Sequence, residues 1–198
     1  MLTRREIDRQ VFHLLLGLAL AFLFYIDILT PLAMFLGIVC GLLLSFISKR
    51  LEVPLFSTFL NWLERDQYRK KFPGRGMILY FVGVLLVMQL FEKDIALAAI
   101  MVLALGDSIS HLFGAKFGKI KNIFNGDGRK LFEGTLAGTF FGFIGAALFV
   151  PIPEAFLGSL AAMTAEVIKI DFNDKTLDDN IVVPLVAGTV IYLLRVYL

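Results

Sequence analysis

Residues 104 to 138, ALGDSISHLFGAKFGKIKNIFNGDGRKLFEGTLAG, run from one apolar segment through a basic, glycine-rich turn into another. On a helix Asp107, His111, Gly114 and Gly118 fall at i, i+4, i+7 and i+11, so a carboxylate, an imidazole and two positions without side chains share one stripe. Such a stripe must face protein, because a carboxylate turned toward lipid costs a few kcal/mol near a helix centre. The surrounding composition makes lipid the relevant solvent. Of 198 residues 58% are hydrophobic and 18% charged, and the mean hydropathy is +0.81, which excludes an ordinary soluble domain. Several apolar runs approach the length that crosses a ~30 Å hydrocarbon layer. An intramembrane Asp is functional by default, so residues 104 to 138 are read as the active site; the alternative is a structural Asp paired with a neighbour.

Working outward, residues 1 to 10 are charged, and Val11 to Ile26 is apolar except for His13. Ala19 and Ala21 offer a small-x-small pattern like a signal-cleavage site, but cutting there leaves too short an apolar core. Arg9 and His13 at i, i+4 instead suggest a retained helix with a polar inner end. Pro31 to Ile47 is the second span. It holds Cys40, the only cysteine, for which packing is the expected role. Between Lys49 and Phe72, Leu55, Phe56, Phe59, Leu60 and Leu63 oppose a charged end. This suggests an amphipathic helix at the membrane surface after Pro54, anchored by Trp62 and Tyr68, or else a solvated connector. Pro73 to Gly76 is a basic turn able to offer backbone N–H groups to an anion. Further spans are Met77 to Phe91, one from Ile95 carrying Asp107, one from about Leu131, Ala155 to about Ile170, and Ile181 to Leu198. The expectation is one all-α domain over residues 1–198, polytopic, with about seven transmembrane helices. Gly134, Gly138, Gly142 and Ala146 form a small-residue seam for a close helix neighbour, in this chain or in a homo-oligomer.

With seven spans and the N-terminus inside, 17 Lys and Arg lie on the inner side against Lys93 and Arg195 outside. That bias places the N-terminus in the cytoplasm, most simply across the plasma membrane. His13, Arg75, Asp107, Lys130, Glu133, Glu166, Asp179 and Asn180 then all fall near cytoplasmic helix ends, implying one polar site facing the cytosol and reachable from lipid. Carboxylates, Lys and Arg among glycine turns, without His/Cys ligand spacing, suit Mg²⁺ and a polyphosphate. Phosphoryl or nucleotidyl transfer needs chiefly position and charge neutralisation. No Walker-type loop is present, so the membrane domain itself must hold the nucleotide.

Gly106-Asp107, Gly114-x-Lys116-x-Gly118-Lys119, Lys130-x-x-Glu133-Gly134-Thr135, Glu166 and Asp179-Asn180 with Pro184 resemble, in order, the CTP-dependent polyprenol kinases. That family takes in dolichol, phytol and CTP-using diacylglycerol kinases and is distantly similar to phosphatidate cytidylyltransferases. Arg9-x-x-x-His13 and Phe72-Pro-Gly-x-Gly76 extend the likeness over nearly the whole chain. The resemblance implies CTP as donor, a membrane lipid alcohol as acceptor and Mg²⁺ as cofactor, with no nucleic-acid partner. It carries Asp107 and Asp179 to metal binding or acceptor activation, and Lys130, Lys116 and Lys119 to phosphates. Glu133 and Glu166 would orient the lysines or the metal; Asn180, Arg75 and His13 join the nucleotide-contacting set. Two departures stand out: Leu131 replaces the hydroxyl usual after the motif lysine, and Ser110 a small apolar residue. The expected activity is γ-phosphoryl transfer from CTP to an isoprenoid alcohol of the polyprenol, dolichol or geranylgeraniol type, favoured over diacylglycerol by the chain's brevity. The alternatives are a cytidylyltransferase making a CDP-lipid and an ion-coupled transporter. Against transport, the spans show no repeat pair and the charges cluster at one face.

Overall fold

The structure, a computed structural model, describes residues 3–51, 53–64, 72–121, 131–168, 171–172 and 175–197. In chain order it contains α1 (Arg4–Tyr25), α2 (Pro31–Ser48), α3 (Pro54–Leu63), α4 (Arg75–Leu90), α5 (Lys93–Met101), a π-helical segment (Val102–Asp107), α6 (Ser108–Phe117), α7 (Phe132–Ala146), α8 (Ile152–Ile168), the short strands β1 (Asp171–Phe172) and β2 (Lys175–Thr176), and α9 (Asp179–Tyr197). The two strands pair antiparallel, a hairpin that the all-α expectation lacked. Helix starts follow local chemistry. Thr3 and Thr30 accept from Glu6 N and Ala33 N at 3.3 and 3.2 Å, and Pro31 and Pro54 occupy first turns where no N–H is needed. Gly74 takes φ 77° to turn into α4.

The α5, π and α6 segments are continuous, one 25-residue helix from Lys93 to Phe117. Every residue from Ile95 to Ala104 is buried, with α1, α4, α7, α8 and α9 packed around it. Among the described residues four helices are long and apolar enough to cross a membrane: Arg4–Tyr25, Pro31–Ser48, Lys93–Phe117 and Asp179–Tyr197; Arg75–Leu90 is a shorter apolar helix. Leu15, Phe22, Leu32, Phe35 and Phe46 turn outward from the first two, as lipid-facing side chains do. The chain is therefore a helical membrane protein. The seven expected crossings do not all reach this standard: α4, α7 and α8 hold 16, 15 and 17 residues, which at ~1.5 Å per residue falls short of a ~30 Å core. Cys40 is exposed on α2, so packing inside this chain is not its role. The amphipathic segment forms α3, where Trp62 Nε1 donates to Asp8 Oδ2 at 3.1 Å; Tyr68, its other expected anchor, lies outside the described residues.

Lipid gives helices no hydrophobic reason to associate, so close packing must do so. The seam on α7 supplies it within this chain. A Cβ on Gly138 would lie 2.8 Å from Gly106 O, Met163 Sδ and Ser110 Cβ, and one on Gly134 would lie 2.6 Å from Ser110 O. Ser110 thus belongs to a helix contact. Leu131 fills space against Gly118, where a Cβ would meet its Cδ1 at 2.3 Å. On α9, Pro184 has no N–H to return to the Asn180 carbonyl. Gly83 of α4 closes on that oxygen, where a Cβ would sit at 2.0 Å. Gly138→Leu is accordingly expected to cost at least about 3 kcal/mol, the upper range of overpacking, and to be seen as lost monodisperse protein in detergent. Gly76→Ala, with nothing within 4 Å of the added carbon, should stay within about 0.5 kcal/mol of the parent.

At the end of the bundle away from Asp107, Arg195 binds Asp94 at 2.6 Å, Glu154 at 2.9 Å and Glu92 at 3.4 Å, tying α9 to the starts of α5 and α8. Nearby, Lys93 Nζ reaches Asp27 Oδ1 at 2.6 Å and Tyr25 O at 3.0 Å.

Candidate active site

Asp107 ends the π-helical segment of the central helix. The wider turn inserts a residue into the ladder and re-aims the side chains of the next turn, a distortion often met at functional sites. One helical turn on, His111 Nε2 stands 3.5 Å from Asp107 Oδ1 and 3.8 Å from Glu166 Oε1 of α8. Asp179 opens α9 beside them. One ligand atom from each of Asp107, His111, Glu166 and Asp179 lies within 4.8 Å of the others. The Glu166 side chain is fully buried and that of Asp107 nearly so. Three carboxylates this close repel strongly where the dielectric is low, and a cation relieves that repulsion. Three oxygen donors with one imidazole fit a divalent metal, and the carboxylates fit Mg²⁺.

From the opposite side α1 brings His13, whose Nε2 is 3.4 Å from Asp107 Oδ2. Its ring meets Tyr80 of α4 edge to face at 4.4 Å between centroids. Arg75 Nη2 lies 3.6 Å from Asp178 Oδ2, and Asp178 Oδ1 accepts from the Asn180 side chain at 2.8 Å. Asp178 thus holds Arg75 next to Asn180 at the start of α9.

Glu133 takes another role. Its carboxylate accepts from Lys119 N at 2.9 Å and Ile120 N at 3.1 Å, pinning the chain that leaves α6 to the loop end of α7. Its own backbone N–H first, and with it those of Lys119 and Ile120 and the Lys119 charge, hold the carboxyl below the usual carboxylate range against desolvation, the next-largest influence, which raises it. The anion expected over the Pro73 to Gly76 turn is likewise part of this chain: Glu64 accepts from Gly74 N at 2.9 Å and Arg75 N at 3.0 Å. Lys116, with Nζ 5.0 Å from the Phe117 ring centroid, and Lys119 are exposed at the end of α6. Lys116 is nine residues from Asp107, about 13.5 Å along the helix. Lys130 lies outside the described residues.

Asp107, Asp179 and Glu166 are thus brought together, with His13 on the far oxygen of Asp107; Glu133, Lys116 and Lys119 stand off toward the loop. The sequence reading overlooked two participants. His111 shares the Asp107 stripe, and Asp-x-x-x-His at i, i+4 is itself a ligand spacing, so the expectation of none is corrected. Asp178 precedes Asp179-Asn180, and no local signal separates its role from theirs.

The chain is 32% identical over 191 residues to an uncharacterized protein of Methanocaldococcus jannaschii, covering 94% of this chain and 93% of that one. It is 29% identical over 153 residues to the CTP-dependent diacylglycerol kinase 1 of Eremothecium gossypii, covering 75% of this chain. The match spans about half of the fungal protein, 47% of its length. No family profile and no solved structure matches the chain. At that identity across nearly the whole of both sequences, this chain belongs to the family of the M. jannaschii protein.

Proposed function

We propose that this chain is a CTP-dependent lipid kinase that moves the γ-phosphate of CTP onto the hydroxyl of a membrane alcohol. The observation that carries the reading is the Asp107, His111, Glu166 and Asp179 cluster inside a membrane bundle. The similarity to a fungal protein named as a CTP-dependent diacylglycerol kinase supports it. The proposed acceptor is an isoprenoid alcohol of the polyprenol, dolichol or geranylgeraniol type, with diacylglycerol as the competing class. In the proposed topology residues 1–198 form one domain crossing the plasma membrane seven times, the N-terminus and the site facing the cytoplasm; the 17 to 2 charge split supports this side.

Asp107, Glu166 and Asp179 would hold Mg²⁺, with His111 beside them. A bound Mg²⁺ would supply charge neutralisation to the phosphates. Arg75, Lys116, Lys119 and Lys130 bind phosphate oxygens, and Asn180 contacts the nucleotide. Glu133 orients Lys119 by gripping its backbone N–H. In the transfer the acceptor oxygen bonds to the γ-phosphorus, the bond from that phosphorus to the β–γ bridging oxygen breaks, CDP leaves, and Asp107 or Asp179 takes the hydroxyl proton.

The fate of each phosphorus tests this. In inverted membrane vesicles holding the protein, γ-labelled CTP with Mg²⁺ and geranylgeraniol is expected to give a labelled lipid phosphate and CDP, while α-labelled CTP leaves the lipid unlabelled. Right-side-out vesicles should give no product. Label from the α position in a CDP-lipid, with pyrophosphate released, would establish a cytidylyltransferase. Diacylglycerol outcompeting the isoprenoid would reassign the acceptor, and no CTP turnover with any lipid alcohol or lipid phosphate would favour transport.

A further inference from the structure

The carboxylate of Asp107 looks into two unlike surroundings. Oδ1 faces His111 and, through it, Glu166 of α8. Oδ2 faces His13 of α1. Among the described residues His13 is backed on this second side by the Tyr80 ring, which in turn meets Gly17 and Ala104. Among the described residues His13 Nε2 has no hydrogen-bond partner, although it lies 3.4 Å from Oδ2. A buried ring nitrogen left so is rare and asks for a partner. The imidazole is also held in place. Tyr80, 1% exposed, backs it edge to face, and the tyrosine oxygen is keyed into a notch at Gly17 where a Cβ would sit 2.1 Å from it and 2.4 Å from Ala104 Cβ. That contact fixes the tyrosine ring one turn further along α1 than His13.

We propose that His13 and Asp107 Oδ2 together form the subsite for the acceptor's hydroxyl, with Tyr80 as a positioning residue; this deepens the kinase reading and rests on it. A hydroxyl both donates and accepts. Seated beside the pair, at the apex over two atoms 3.4 Å apart, its oxygen donates to Oδ2 and accepts from His13 Nε2–H within hydrogen-bond distance of both. Among the described residues the cation nearest this side is Arg9, one turn back on α1 and engaged by Glu6, and one carboxylate oxygen already faces the site, which disfavours a polyphosphate. Other cations stand elsewhere, Arg75 at Asp178 and Lys116 and Lys119 at the end of α6. The helix bearing His13 is also one that meets lipid: Val11 and Leu15, two residues to either side of it and on the opposite face, are exposed. An alcohol whose chain stays in the membrane reaches His13 past a single helix. His13 is thereby moved from the nucleotide to the acceptor.

The test uses the full chain in nanodiscs. Without nucleotide, equilibrium binding of geranylgeraniol is compared with that of the hydrocarbon lacking its hydroxyl; with nucleotide, KM is measured separately for geranylgeraniol and CTP. The unsubstituted protein should prefer the alcohol. His13→Leu should erase the preference and raise the alcohol KM about tenfold while the CTP KM moves less than about twofold, and His13→Gln, which keeps an amide donor, should recover most of the loss. Tyr80→Leu, which removes the ring that backs the imidazole, should follow His13→Leu. A raised CTP KM with the alcohol KM unchanged would return His13 to the nucleotide. Unchanged binding preference and KM values in both His13 variants would overturn the subsite. Absence of CTP turnover in the unsubstituted protein would sink the kinase reading instead, and the nucleotide-free preference still decides the subsite.

Discussion

Asp107→Asn is expected to lower CTP turnover by about 10²- to 10⁴-fold, the range lost when a metal-binding or proton-accepting carboxylate is neutralised, while the protein still purifies as a folded species. Asparagine keeps the volume and planarity of the side chain, so the packing of the π-helical segment against α7 is undisturbed; only the charge is removed. Asp107 stands where both halves of the site meet, His111 at 3.5 Å on one oxygen and His13 at 3.4 Å on the other. Loss of its charge therefore reaches the cation side and the acceptor side together. Asp179→Asn should fall into the same range. Because residues acting on one transition state are not additive, the double variant should be little worse than the poorer single one. Initial rates with γ-labelled CTP, alongside size-exclusion profiles, measure this. Near-parental turnover in Asp107→Asn would make this carboxylate structural and remove the basis for placing the site on the central helix.

The second large effect concerns the cation. Chelation of divalent metal should abolish turnover and Mg²⁺ should restore it. In Glu166→Gln the Mg²⁺ concentration giving half-maximal rate should rise by at least about tenfold, as loss of a ligand or its support commonly does. Glu166 is the informative position because its side chain is fully buried and stands 3.8 Å from His111; a buried carboxylate beside two others is stable as an anion only with a counter-charge. Mass action supplies a readout independent of turnover: a ligand that binds only the folded state raises the unfolding temperature with its concentration. Mg²⁺ should raise the Tm of the parent and have a much smaller effect on Glu166→Gln. Equal Mg²⁺ responses in the two proteins would mean that the cluster is not where the metal binds.

Much of this was legible before any coordinates. Hydropathy and the proline, glycine and threonine punctuation mark nearly every helix, because they act over one or two turns of local backbone. The pairing of Asp107 with His111 is local too: i, i+4 on a helix places the side chains together whatever surrounds them, though its meaning as a ligand pair was overlooked. The glycine spacing of Gly134, Gly138 and Gly142 announces a close helix contact for the same reason. Which helix makes that contact is not local. All the helices are similarly apolar and lipid does not rank their faces, so only the summed packing selects the Gly106, Ser110 and Gly114 face as the partner of the α7 seam. That selection gathers Glu166 of α8 and Asp179 of α9 with His111 around Asp107 and sets His13 of α1 against its Oδ2. It also decides that Glu133 and Glu64, two carboxylates that sequence alone cannot tell from cluster members, spend their oxygens on the backbone N–H groups of Lys119 and Ile120 and of Gly74 and Arg75. By itself the sequence determined a helical membrane protein with a buried acidic stripe, since burial cost and helical period are properties of short segments. Tertiary structure decided which polar groups share that stripe's space, since a contact between residues far apart in the chain exists only once the whole bundle has closed.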